Sequence, residues 1–198
     1  MKEEIIKNAM NAFSIESESL LKTAEVIDKN EFAHAVEILA KAPKIASSGC
    51  GHSGIACRHF AHLMCCIERP ARFISPAEAV HGALGFLAAG DVILLVSRGG
   101  KTDELMPIAD ICRKKGVTVI TVTENTSSPL AEKADIILAM AVTKECDKYN
   151  CQGTTSFAVT SAIFDALQSA VLEYTEFKNE EFAVIHPAGA VGKRLNNK

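Results

Sequence analysis

The apolar run Ile45-Ala46-Ser47-Ser48 stops abruptly at Gly49-Cys50-Gly51-His52-Ser53-Gly54, and a helical pattern with Ala56, Phe60, Leu63 and Met64 on one face begins at once. A strand, a tight turn and a helix start in direct succession constrain the fold more than any other stretch, because this is the entry unit of a parallel α/β sheet. Glycines let the backbone turn sharply and come close to a bound group. The unpaired amides of the helix's first turn, at the positive end of its dipole, favour an anion. With the Ser48 and Ser53 hydroxyls and the backbone at Gly49 and Gly51, the stretch reads as a phosphate cradle for a small phosphorylated molecule. The Gly-x-Gly-x-x-Gly spacing also fits a dinucleotide loop. A ribose would need an acidic residue at the end of the next strand, and none stands at Ile74.

Alternating strands and helices follow. Strands are expected at 44–48, 71–74, 92–96, 117–122 and 136–140. The run Val92-Ile93-Leu94-Leu95-Val96 is apolar throughout, as a strand covered on both faces must be. Helices are expected from the glycine turn to about Ile67, and again up to Gly116 with Leu105, Ile108, Ala109 and Cys112 at helical spacing. The order implies a five-stranded parallel sheet with right-handed crossovers, whose ligands sit beyond the carboxyl ends of the strands. Ahead of it, residues 1–42 form a helical extension. One helix spans about Ile5 to Ile27 and a second spans Glu31 to Ala40, with Pro43 ending it. Ile6, Met10, Phe13, Leu20, Ala24 and Ile27, with Ser17 as a polar slot, make a heptad seam suited equally to covering the chain's own domain or to packing on another subunit's helices. A helix over 154–177 is apolar on nearly every side, which also favours an oligomer. The segment His186–Gly192 reads as a glycine-proline turn.

The 198 residues are 48% hydrophobic with a net charge of −3. No basic block exists to track a nucleic acid, and no apolar run reaches membrane-spanning length. The first residues lack a signal-peptide core, so a cytoplasmic protein is expected. The seven cysteines form no Cys-x-x-Cys pair and read as buried free thiols. His59 and His62 share a helix face, but no carboxylate or third ligand is evident beside them, so no metal is implied.

A second loop repeats the first. Ser97-Arg98-Gly99-Gly100-Lys101-Thr102 follows the third strand and opens a helix at Asp103. Ser97 and Thr102 supply hydroxyls, Gly99 and Gly100 supply backbone, and Arg98 and Lys101 carry charge. Two such loops on neighbouring strands suit one phosphate and its attached sugar. Glu104 stands in the first turn of that helix and Glu145 follows the fifth strand. His81 and His186 precede small, turn-forming residues.

Six motifs in order carry a resemblance. The chain reads GCGHSG from Gly49, SPAEAVHGALG from Ser75, SRGGKTDE from Ser97, KECD from Lys144, GTTS from Gly153 and HPAGAVG from His186. It resembles the sugar isomerase (SIS) family and is most similar to the isomerase domain of arabinose 5-phosphate isomerases. The resemblance covers nearly the whole chain. It implies one domain over 1–198, with residues 43–198 as a three-layer, flavodoxin-like sandwich and the N-terminal helices at an oligomer interface. It implies a phosphosugar aldose–ketose isomerase working through an enediolate, without cofactor, as a homodimer or homotetramer. Glu104, Glu145 and His186 would be catalytic, with His81 in the active site, and His52 and Thr154 would join the substrate contacts. Four positions depart from the family pattern: its lysine is His52, its HGDLG aspartate is Ala83, its second loop serine is Gly99, and the first glycine of its HPGG is Ala188. Substrate charge is then met differently. A non-catalytic phosphosugar sensor and a 6-phospho-3-hexuloisomerase-like enzyme are the alternatives. Since the sequence stops at Lys198, the CBS pair that often follows in the family is not expected.

Overall fold

The computed structural model describes residues 1–196. Helices α1 (Lys2–Val26) and α2 (Lys29–Lys41) precede five strands: β1 (Ile45–Gly49), β2 (Ala71–Phe73), β3 (Val92–Val96), β4 (Thr118–Thr123) and β5 (Ile136–Ala139). Between the strands lie α3 (Gly51–Cys65), α4 (Pro76–Ala79) and α5 (Met106–Lys114); α6 (Thr155–Tyr174), α7 (Asn179–Ile185) and α8 (Gly189–Asn196) follow β5. All pairings are parallel, in the order β2-β1-β3-β4-β5. The chain steps outward from β1 to β2, then returns to build β3 on the other side. The loops after β1 and β3 therefore diverge, which opens a crevice at their carboxyl ends.

Strand alternation sorts the core into two layers. Ile45, Leu94, Val96, Ile120, Val122 and Leu138 pack with Ala35, Val36 and Leu39 of α2, Phe60 and Met64 of α3, and Phe164 and Leu167 of α6. Ala46, Ile93, Leu95 and Val119 pack on the opposite side with Ile108, Ala109 and Cys112 of α5. Every residue of β3 is buried, as its unbroken apolar run requires. Asp28 caps α2 by accepting from the Asn30 and Glu31 amides.

The apolar seam of helix α1 largely faces outward, and a different face packs on the chain's own core. Ile6, Met10 and Phe13 are 61%, 55% and 69% exposed, whereas Ile15, Ser19 and Thr23 are buried. The last two bind the chain leaving β5. Thr23 Oγ1 donates to the Ala141 carbonyl at 3.1 Å and accepts from its amide at 3.0 Å. Ser19 Oγ accepts from the Thr143 amide at 3.1 Å, and the Glu31 carboxylate accepts from the Ile137 amide at 3.2 Å. Helix side chains thus supply what a sixth strand would have supplied.

One expectation about α6 is corrected. At 20 residues it is long and apolar enough, by composition, to cross a membrane, so one segment does reach that length. Helices α1, α2 and α3 of the same chain pack on it, with Phe164 against Phe60 at 4.7 Å between ring centroids. The tail differs as well: α7 was not anticipated, and Gly189 to Gly192, read as turn, begin α8. Of the cysteines, only Cys57 and Cys112 are buried, while Cys65 and Cys151 are exposed. The carboxylate missing from the sequence reading of His59 is Asp165 on α6, 3.2 Å from its Nε2.

Candidate functional site

Strand β1 enters α3 through Cys50 and Gly51, the latter at φ +54°. A Cβ on Gly54 would lie 2.5 Å from the Gly49 carbonyl oxygen, so glycine alone lets the helix start press against the strand end. No side chain caps α3. Its first-turn amides at Gly51, His52 and Ser53 are left for a ligand, and the half-buried Ser53 hydroxyl stands among them.

A cleft of about 590 Å³ opens beside these amides, at the point where the loops after β1 and β3 part. Gly49, Cys50 and Gly51 of the turn line it, together with Val80 and His81, Glu104 and Pro107, and Arg58 and Phe73. Glu104 and His81, expected as acid–base groups, thus share one cavity with the glycine turn. Burial, and then the Glu104 carboxylate, push the Cys50 thiol above its ordinary range. The thiol is neutral, and the charge on Glu104 faces the turn.

Ser48 does not face the cleft. It is fully buried, and its hydroxyl donates to the Ile74 carbonyl at 2.7 Å. It ties β1 to the segment after β2, which corrects its expected role as a phosphate donor. The second loop is folded on itself. Ser97 Oγ and Thr102 Oγ1 are 2.8 Å apart, and the Gly100 amide donates to Ser97 Oγ at 3.0 Å. One hydroxyl proton of the Ser97–Thr102 pair stays free for a ligand, as does the Gly99 amide, but the Gly100 amide is taken. Gly100 has φ +64°, and a Cβ there would overlap Ser128. Its glycine serves loop packing.

Glu145 lies in a separate, tighter setting. It is 3% exposed. One carboxylate oxygen accepts from Arg98 Nη1 at 2.8 Å, and the other accepts from the Ser156 amide at 3.1 Å and Thr154 Oγ1 at 3.3 Å. Burial works to raise its pKa, but the hydrogen bonds from Ser156, the Arg98 charge and the Thr154 hydroxyl outweigh it and hold the carboxyl below its usual range. Arg98 is committed as well, since its Nε donates to Glu124 at 2.8 Å. Thr154 also accepts from the Cys146 amide at 2.9 Å. His52 packs toward this side, not into the cleft: its ring lies 6.4 Å from that of Phe157, and a Cβ on Gly153 would come within 2.8 Å of its Nδ1.

His186 is not brought to the cleft of its own chain. It sits between α7 and α8 with its ring 4.9 Å from that of Phe182. Phe182 shares a small pocket with Cys66 and Ile67, just past the far end of α3. Its Nδ1 is buried without a partner. Sequence reading passed over Arg58 and Phe73, whose signal was weak: an arginine two turns into a helix and an aromatic ending a three-residue strand.

The comparisons agree with this fold. A SIS domain profile matches residues 38–170. Arabinose 5-phosphate isomerase KdsD of Pseudomonas aeruginosa is 36% identical over 84% of the chain, and the chain spans about half of it, 51% of its length. A candidate sugar-phosphate isomerase from Listeria monocytogenes is 39% identical with a TM-score of 0.91, over 95% of this chain and 99% of that one. An Escherichia coli CFT073 protein in complex with arabinose 5-phosphate is 29% identical with a TM-score of 0.80, over 91% and 98%. By the extent of the profile match and by these identities, the chain belongs to the SIS domain family.

Proposed function

We propose that the chain is a sugar-phosphate isomerase of the arabinose 5-phosphate isomerase type, interconverting an aldose phosphate and its ketose. The observation that carries this reading is the single cleft that joins Glu104 and His81 to the uncapped start of α3. The amides of Gly51 to Ser53, with the free donors at Gly99 and the Ser97–Thr102 pair, hold the phosphate. His81 moves the proton that opens the sugar ring. Glu104 removes the proton from the carbon next to the carbonyl and returns it to the former carbonyl carbon, while the hydroxyl proton passes between the two enediolate oxygens, so the intermediate collapses to the isomer. Glu104 suits this role better than Glu145, because a carboxylate held by Arg98 and two further donors is a weak base. Glu145 then orders the loop after β5. The relatives' names and the arabinose 5-phosphate complex support the substrate class. Self-association through the exposed apolar stripe of α1 belongs to the same reading.

A binding-only protein is the second reading, favoured by the tied state of Glu145 and the distance of His186 from the cleft. Two measurements separate them. Thermal stabilisation by arabinose 5-phosphate reports binding. NMR in deuterated water reports whether the proton beside the carbonyl exchanges. Stabilisation with exchange supports the isomerase, and stabilisation without exchange replaces it with the binder.

A further inference from the structure

Arg58, in the second turn of α3, lines the cleft. Its guanidinium carbon lies 4.1 Å from the centroid of the Phe73 ring, so the fork is stacked on an aromatic face. The tip of Phe73 in turn reaches the glycine turn, with its Cζ 3.7 Å from where a Cβ on Gly54 would stand. Phe73 thus bridges the guanidinium and the glycine turn. A side chain on a helix leans toward the N-terminus, which points Arg58 back at those amides.

The other basic groups near the two loops are spent or turned away. Arg98 is bound to Glu124 and Glu145, and Arg72 stacks on Phe86. His52 packs against Gly153 and Phe157, and Lys101 does not line the cleft. Among the described residues, Arg58 makes no ion pair or hydrogen bond, and it is the one arginine or lysine lining the cavity. An arginine held flat by a ring keeps its donors in the cavity with less rotational freedom to lose.

We propose that Arg58, positioned by Phe73, is the cationic recognition residue of this cleft and binds the phosphate of a phosphorylated sugar by a two-pronged hydrogen bond. It takes the place of the charge that position 52 does not deliver to the cavity. The substrate class rests on the proposed function; the phosphate recognition stands without it.

The test uses the whole protein and two probes, arabinose 5-phosphate and inorganic phosphate, with unphosphorylated arabinose as control. Arg58→Met keeps the stem on Phe73 and removes the charge. Its dissociation constants for both phosphate probes should rise by about 10- to 100-fold, the worth of a charge-assisted paired hydrogen bond, with arabinose unaffected. Arg58→Lys, which keeps the charge but not the fork, should fall in between. In turnover the loss should appear mainly in KM. Unchanged phosphate affinity in Arg58→Met, with a wild-type circular dichroism spectrum and melting temperature, would overturn the assignment. So would an equal loss in Arg58→Met and Phe73→Leu for arabinose itself, since that marks a collapsed cleft. If no sugar is isomerised, the proposed function falls, while the phosphate titration still decides Arg58.

Discussion

Ser19 on the first helix and Thr143 beyond the last strand lie 124 positions apart in sequence, yet their hydroxyls are 3.0 Å from each other. The same Ser19 oxygen also receives the Thr143 amide. Two segments remote in the chain are thereby locked where the path from β5 turns toward Glu145. Ser19→Ala should cost about 1–3 kcal/mol, because the Thr143 amide loses its partner in a buried place. Hydrogen exchange at the Thr143 amide should accelerate in that variant while exchange in β3 stays slow. Ser19→Thr, which keeps the hydroxyl, should recover part of the loss. Denaturant unfolding and exchange mass spectrometry check each part.

The tied carboxylate of Glu145 predicts a pH effect with a definite sign. Its folded pKa lies below the unfolded value, so its stabilisation is present in full above the ordinary carboxylate range, about 4.3. It is lost as pH falls through the depressed folded value. Glu145→Gln should therefore be less stable than the parent protein at pH 7, by about 1–3 kcal/mol. The gap should narrow as pH is lowered below about 4. Urea titrations of both proteins from pH 7 to pH 3 read this directly; a gap that widens in acid would contradict it.

Turnover should depend on the two candidate acid–base residues of the cleft in different ways. Glu104→Gln should lower kcat by about 100- to 10,000-fold, the usual worth of a positioned base, while leaving phosphate binding close to normal. His81→Asn should slow the reaction less when the sugar is supplied in a form that opens freely. Stopped assays on arabinose 5-phosphate, paired with calorimetric binding, distinguish these outcomes.

His186 gives a prediction about assembly. It is far from the cleft of its own chain, beside Phe182 at the far end of α3. If it acts in turnover, it does so at the cleft of another copy. Mixing inactive Glu104→Gln with inactive His186→Ala, after partial unfolding and refolding together, should restore a fraction of activity that neither has alone. No recovery in mixed oligomers, with each variant folded, would remove His186 from the reaction.

The layout of the sheet was open to sequence reading because β1 to β5 carry strong local patterns. Val92–Val96 has no polar residue to hide, and each glycine-rich turn falls where a strand must meet a helix. Burial of hydroxyls was not open to it. Ser19 and Thr23 look like the polar side of α1, and only the position of β5 shows that they face inward. Ser17, by contrast, looked like a slot in an apolar seam, and that seam largely faces outward. Ser48 looked like a loop donor because its neighbours are glycines, yet it is the last buried position before Gly49, and Ile74 claims it. The departure of His52 from the family pattern was visible, but its direction was not, since nothing local ties it to Gly153 and Phe157. Gly189 and Gly192 masked α8 for a different reason: glycine weakens the helical signal even where packing imposes a helix.

The hydroxyls of Ser19 and Thr23 and the carboxylate of Glu31 have a consequence for the molecule in a crowded solution. An uncovered outer strand is a template on which a stranger's backbone can lay itself down, layer after layer. On the β5 side that invitation is withdrawn, because side chains of α1 and α2 already answer the backbone amides of Ile137, Ala141 and Thr143. A stranger's strand would have to displace those side chains before it could pair there.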